Sequence, residues 1–316
     1  MIENFWFSLN VSLPIFLLLA AGFGIKRLNL LDDSFFSQAS SLVFTVALPA
    51  KLFYDTATSD FSRFNPTFIV VCMLGTTAFF LIAWSVGALA LRKAPQKVGA
   101  FAHGSFRGNY VYIGFALMQN ILGTDVIPLS ATLASAFVLP LYNVYAVILL
   151  TVTGSHGRRV RPGEILLQVV KNPMILGIVA GLPFALLHVR LPFALTQSLD
   201  YLGNLCTPLA LLVIGASIRF ADIAHDIRPI LGACSIKLVL QPLVMVSIGL
   251  LLHMTHEELL VLFVLFGVPA AANVYIVTRK MGGDAQLASG IIVVSVLLSM
   301  FTMTAGIFLL RTAGIV

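Results

Sequence analysis

The 316-residue sequence is poor in charge: Asp, Glu, Lys and Arg together make up 10% of it, with 13 acidic and 19 basic residues. A water-soluble domain carries about 25% charged residues to clothe its surface. That shortage, beside 59% hydrophobic residues, excludes a soluble globular domain and reads as an integral membrane protein. Cysteine is scarce as well. Cys72, Cys206 and Cys234 fall in apolar runs, with no CxxC pair and no histidine cluster, so neither a disulfide framework nor a zinc site is expected. They read as small buried hydrophobes. The formal net charge of +6 is dispersed among short loops instead of forming a stripe, so nucleic acid is not a partner. Catalytic signatures are also missing. There is no GxSxG, no HExxH ("HMTHEE" at 253–258 has the wrong order), no Walker-type phosphate loop and no paired carboxylates inside an apolar run. An enzyme or an ATP-driven pump is not expected, and neither is a metal or an organic cofactor.

What the sequence has is long apolar windows. A span needs about 20 mostly apolar residues, and ten windows fit, at roughly 5–25, 35–54, 67–91, 99–121, 127–152, 165–188, 193–218, 229–252, 258–278 and 285–310. They are too long and too uniformly apolar for barrel strands, so helices are expected, with membrane lipid as a partner. The chain opens on Met-Ile-Glu-Asn and has its basic pair, Lys26-Arg27, beyond the first window. A cleaved signal peptide has the reverse polarity, so that window is kept as a span. One set of alternate loops holds twelve basic residues (Lys26, Arg27, Arg92, Lys93, Lys97, Arg158, Arg159, Arg161, Arg219, Arg228, Arg279, Lys280). The other side holds Arg63, Arg190 and Arg311, which places both termini outside.

An internal repeat divides the chain. "LPIFLLLAAG" sets Pro14 and Gly22 eight residues apart, and "NPMILGIVAG" does the same with Pro173 and Gly181, 159 residues later. Pro49 in "ALPAKLF" and Pro208 in "CTPLALL" share that offset, and "GNYVYIG" around Asn109 is echoed 164 residues on by "AANVYIV" around Asn273. The expected division is a first five-helix repeat over 1–153, a cytoplasmic linker over 154–164 and a second repeat over 165–316. Five spans per copy is odd, so the second copy enters the membrane inverted, an arrangement characteristic of secondary transporters with a midplane site at broken helices.

The fourth and ninth windows carry the polar interruptions. Gly108 weakens the helix beside Asn109, and Gly267 and Pro269 precede Asn273. Non-helical backbone at membrane depth survives only where protein or a water-filled cavity covers it. Asn109 and Asn273 are therefore the candidate substrate residues, with Arg107, Gly108, Tyr110, Tyr112, Pro269 and Tyr275 around them and Pro49, Pro208 and Gly267 shaping the helices. Half-helix N-termini favour a carboxylate. The basic residues inside the windows, Lys51, Arg107, Lys171 and Lys237, outnumber the acids, Asp55 and Asp200, which lie toward the outer ends. A small organic anion is thus the expected substrate. Lys51 and Asp55, spaced i, i+4, read as a snorkelling ion pair near the outer interface, and Lys171 as a snorkelling side chain. Lys237 is ambiguous. Arg107 reads equally as a substrate partner or an interface anchor, and His103 as an interfacial histidine. The coupling ion is open between proton and sodium.

These stretches together, "ALPAKLF", "SFRGNYVYIGFAL", "KNPMILGIVAGL", "LGNLCTPLALLVIGASI" and "GVPAAANVYIVTRKMGGD", resemble the auxin efflux carrier family over essentially the whole chain. That family includes plant auxin exporters and bacterial proteins labelled malonate transporters. The resemblance implies an all-α membrane fold of ten helices in two inverted five-helix repeats, akin to sodium/proton antiporters and bile-acid symporters. Helices four and nine would unwind and cross, with Asn109 and the Pro269–Asn273 stretch at the crossing. Spans 1, 2, 6 and 7 would form a scaffold, and spans 3–5 and 8–10 a moving transport unit. The chain departs from plant members in lacking a proline near the break in span four. A malonate-like or auxin-like carboxylate, a bacterial inner membrane and a homodimer are further implications. The alternative is a sensor or passive channel that keeps the carrier fold without active coupling.

Overall fold

A computed structural model describes residues 2–58, 65–124, 127–154, 171, 173–218 and 226–315. Its elements are helical, and no strand is formed among the described residues beyond a single bridge. In chain order they are α1 (Ile2–Arg27), α2 (Asp33–Leu42), a π turn (Val43–Ala47), α3 (Leu48–Ala57), α4 (Pro66–Ala90), α5 (Pro95–Phe106), a π turn (Tyr110–Gly114) and α6 (Phe115–Leu122). There follow α7 (Leu129–Thr153), α8 (Pro173–Leu186), α9 (Phe193–Ala216), α10 (Ile227–Ser235), a π turn (Ile236–Leu240), α11 (Gln241–Leu251), α12 (His256–Gly267), α13 (Asn273–Lys280) and α14 (Ala285–Thr312). The expected linker at 154–164 lies outside the described residues but for Gly154, and so does the start of the sixth window.

Among the described residues, six helical stretches are long and apolar enough to cross a membrane: α1, α4, α7, α9, α10 through α11, and α14, of 24 to 28 residues each. At 1.5 Å per residue these reach about 36–42 Å, more than the roughly 30 Å of a bilayer's hydrocarbon. Leu17, Leu74, Leu81, Leu243 and Phe301 stay exposed on them, as a lipid-facing surface requires. The chain is an integral membrane protein.

Local chemistry sets the helix ends. The Asp32 side chain accepts from the Phe35 N–H at 2.8 Å, and Asn65 accepts from Thr67 at 3.0 Å just before Pro66. A Thr255–Glu258 capping box starts α12, where Glu258 also accepts from Asn65 Nδ2 at 2.8 Å. Prolines are handled by widening. Pro49 and Pro242 each follow a π turn, so the helix continues past the missing donor and α2–α3 is one unbroken rod. Pro208 lies inside α9 without interrupting it.

Two sets of helices pack mostly among themselves. In one, α1 lies on α9, α3 on α8, and α9 on α3; in the other, α4, α5, α7 and α10–α14 enclose one another. In the first set, a Cβ on Gly22 of α1 would collide with the Leu212 carbonyl of α9, and one on Gly181 of α8 would lie 2.7 Å from the Phe53 carbonyl of α3. Glycine is what lets these backbones touch. In the second set, α5 from Val98 to Phe106 and α12 from Glu258 to Gly267 are buried at every residue. The three cysteines are buried and unpaired by disulfide, as expected.

Candidate functional site

The buried stretches of both helices stop at the same place. α5 ends at Phe106, and Arg107 turns extended (φ −90°, ψ 109°). α12 ends at Gly267, and Val268 is extended too (φ −62°, ψ 151°), as a residue before proline prefers. The two extended stretches run antiparallel and meet at a single Gly108–Ala270 bridge. The Asn109 N–H donates to the Pro269 carbonyl at 2.7 Å, and the Ala271 N–H to the Arg107 carbonyl at 3.2 Å. Backbone groups released by one break are thus satisfied by the other, the condition for interrupted helices at membrane depth. Ser295 of α14 accepts the Ala270 N–H at 3.1 Å. Gly108 is closely packed: a Cβ there would lie 2.8 Å from Lys237 Nζ and 3.0 Å from Val268 Cγ2.

The chain resumes helicity on the far side of each break. Asn109 is buried, and its carbonyl accepts from Ile113 and Gly114 at 3.1 and 3.4 Å to open the π turn. Asn273 is the first residue of α13; its Oδ1 is buried with no hydrogen-bond partner among the described residues. Tyr110 is buried and donates to the Ala131 carbonyl of α7 at 3.2 Å, so it anchors the turn. Tyr112 is half-buried in the turn, which packs on α9. Tyr275 accepts from Arg279 Nη1 at 3.2 Å and lines a cleft.

That cleft has a volume of about 840 Å³ and lies between the two helix sets. Lys26 and Arg27 stand on its wall, with Ser217, Ile292, Ala272 and Tyr275, the last two flanking Asn273. A smaller cleft of about 380 Å³, bordered by Lys51, Tyr54, Thr124 and Asp200, lies toward the other end of the α2–α3 rod. Arg107 borders neither cleft. It is buried with its guanidinium carbon 5.9 Å from the Tyr142 ring centre, and its Nη1 has no hydrogen-bond partner among the described residues.

His103, Lys51 and Asp55 sit differently from expectation, and Lys237 gains a defined place. His103 is wholly buried, not interfacial, with Nδ1 3.1 Å from Thr278 Oγ1. The small residues Gly99, Ala100, Ala102 and Gly104 let neighbours close around α5 on all sides. Lys51 and Asp55 do pair, at 3.5 Å, but within the protein, not snorkelling outward, because α8 and α9 pack over α3. Lys237, ambiguous in the sequence, is completely buried beside the Gly108–Ala270 bridge: Nζ donates to the Phe266 carbonyl and to Gln241 Oε1, both at 3.0 Å. Gln241 and Tyr142 were not legible as site residues. Gln241 donates to the Ser105 carbonyl at 2.8 Å, and its i, i+4 spacing from Lys237 in "KLVLQP" is the signal that could have found it.

The chain matches the family described as Membrane transport protein over residues 8–155 and 159–307. A Rhizobium meliloti protein named "Putative malonate transporter" is 24% identical over 311 residues, 96% of each chain. An "Uncharacterized transporter" of Methanothermobacter thermautotrophicus is 21% identical across 94% of this chain and 96% of its own. The Escherichia coli K12 "Uncharacterized transporter YfdV" is 20% identical across 92% and 94%. The family and these relatives are transporters, not enzymes, and the resemblance to auxin efflux carriers is borne out. This chain belongs to the membrane transport protein family.

Proposed function

We propose that this family member is a secondary carrier for a small organic anion, a mono- or dicarboxylate, bound where its two broken helices meet and moved by alternating access. One observation carries the reading: the cleft of about 840 Å³ leads from Lys26 and Arg27 to Ala272 and Tyr275, on either side of Asn273 at the start of α13. The first N–H groups of a helix lack intrahelical partners and attract an anion. The Arg107 guanidinium at the companion break adds buried positive charge with an unused donor. Malonate, named for the Rhizobium relative, is a dicarboxylate of this class.

The proposed frame is ten crossings in two inverted five-helix copies, with α1, α2–α3, α8 and α9 as the scaffold and the remaining helices as the moving unit. Packing supports it. Gly22 and Gly181, equivalent in the sequence repeat, close onto α9 and α3 respectively, which are themselves the partners carrying Pro208 and Pro49. A pseudo-two-fold axis exchanges these two contacts. With the termini outside a bacterial inner membrane, the cleft beside Lys26 faces the cytoplasm, and the conformation is inward-open.

A thermal-stability screen of the purified protein against small mono- and dicarboxylates and indole acids tests the substrate class, because a ligand of the folded state raises apparent stability by mass action. Concentration-dependent stabilisation by one carboxylate series is expected. A flat response to every carboxylate, with stabilisation by cations or neutral solutes instead, defeats the anion reading.

A further inference from the structure

At the crossing, the two buried half-helices α5 and α12 both present their carboxyl ends. The last carbonyls of a helix have no intrahelical donor and carry the negative end of its dipole. Two such ends converging inside a membrane protein make a position that calls for a cation. Here a side chain from a third helix fills it. The Lys237 ammonium lies 3.0 Å from the Phe266 carbonyl in the last turn of α12, and 3.0 Å from Gln241 Oε1. The amide of Gln241 hands the contact on to the Ser105 carbonyl in the last turn of α5, at 2.8 Å. Gly108 leaves room for the ammonium beside the bridge. Among the described residues no carboxylate forms an ion pair with Lys237, so the charge it balances is that of the helix ends. A buried, unpaired ammonium is expensive unless such dipoles receive it.

We infer that Lys237 is the resident cation of the crossing: its ammonium holds the carbonyl-lined position between the two half-helix ends where a free alkali cation would otherwise bind, and the protein therefore requires no sodium there. The absence of a sodium requirement for transport rests on the carrier reading above; the occupancy of the position by Lys237 does not. The ammonium is tethered, so it moves with the crossing as a permanent part of it, and Gln241 distributes its charge to both helix ends.

The test is thermal unfolding of the purified full-length protein, followed by Trp fluorescence, in sodium, choline or ethylammonium chloride at equal ionic strength. Wild type and Lys237→Arg, which keep a tethered charge, are expected to melt at the same temperature in sodium as in choline. Lys237→Ala is expected to melt several degrees lower in choline, and sodium or ethylammonium, small enough to enter the vacated position, should recover part of the loss. Wild type selectively stabilised by sodium over choline would overturn the proposal. So would a Lys237→Ala protein that neither small cation stabilises, whatever its folded yield. Because the readout is cation binding, failure of every carboxylate to bind or be transported would count against the carrier reading and leave this result legible on its own.

Discussion

Asn109 donates its backbone N–H to the Pro269 carbonyl at 2.7 Å, joining residues 160 positions apart in the sequence and fastening the end of α5 to the end of α12. The contact is small, yet it locates the polar interruptions of both spans at one point. Each break exposes amides that the other consumes, so neither half can be altered without disturbing its counterpart.

Gly108 tests how tight that point is. A Cβ would intrude on Lys237 Nζ and Val268 Cγ2 at 2.8 and 3.0 Å. Gly108→Ala is expected to destabilise by about 1–3 kcal/mol, the usual cost of overfilling a packed interior, and to depress transport more than folding. Equilibrium unfolding beside liposome transport checks this; a variant as stable and active as wild type would show that the packing around the Gly108–Ala270 bridge has slack.

Arg107 sits buried at the companion break, its Nη1 without a hydrogen-bond partner among the described residues. If that nitrogen receives the substrate carboxylate, Arg107→Gln should raise the apparent KM by roughly 10-fold or more, since hydrogen bonds to charged groups contribute about 1.5–3 kcal/mol. Arg107→Lys should recover only part of this, lacking the planar fork. An unchanged KM with a lowered melting temperature would assign Arg107 to packing against Tyr142 instead.

The orientation is open to chemical labelling. The native cysteines are buried, so background reactivity should be low. Ala272→Cys, on the wall of the large cleft, is expected to react with a membrane-impermeant thiol reagent from the cytoplasmic side, and saturating substrate should slow the reaction. Labelling from the outside alone would reverse the assigned topology.

Much of the fold was visible in the one-dimensional pattern. Apolar windows longer than a bilayer is thick became the six long helices, and Gly108, Gly267 and Pro269 mark places where a helix cannot continue cheaply. Asn109 and Asn273, paired by the sequence echo, each stand beside an interruption between helices. What stayed hidden depends on partners far along the chain. Burial of His103 requires that other helices, α4, α7, α10, α13 and α14, close on α5, and nothing within residues 99–106 says which ones. The capping of Phe266 by Lys237 and of Ser105 by Gln241 spans separations of 29 and 136 residues, beyond any local periodicity. Pro49 behaves differently from Pro269. Proline costs the helix a donor, but widening one turn accommodates it, and sequence alone does not distinguish a widened turn from a break.

Counterflow of a labelled dicarboxylate in proteoliposomes tests the central claim most directly, comparing wild type with Asn109→Ala, Asn273→Ala and the double variant. Asn273 Oδ1 makes no hydrogen bond among the described residues, so its loss should leave the melting temperature near that of wild type. The account predicts saturable counterflow by wild type and its loss, at least about 10-fold, in each folded variant, equivalent to roughly 1.4 kcal/mol of lost substrate interaction. Saturable counterflow at the wild-type rate in the folded double variant would contradict a site at the two helix breaks.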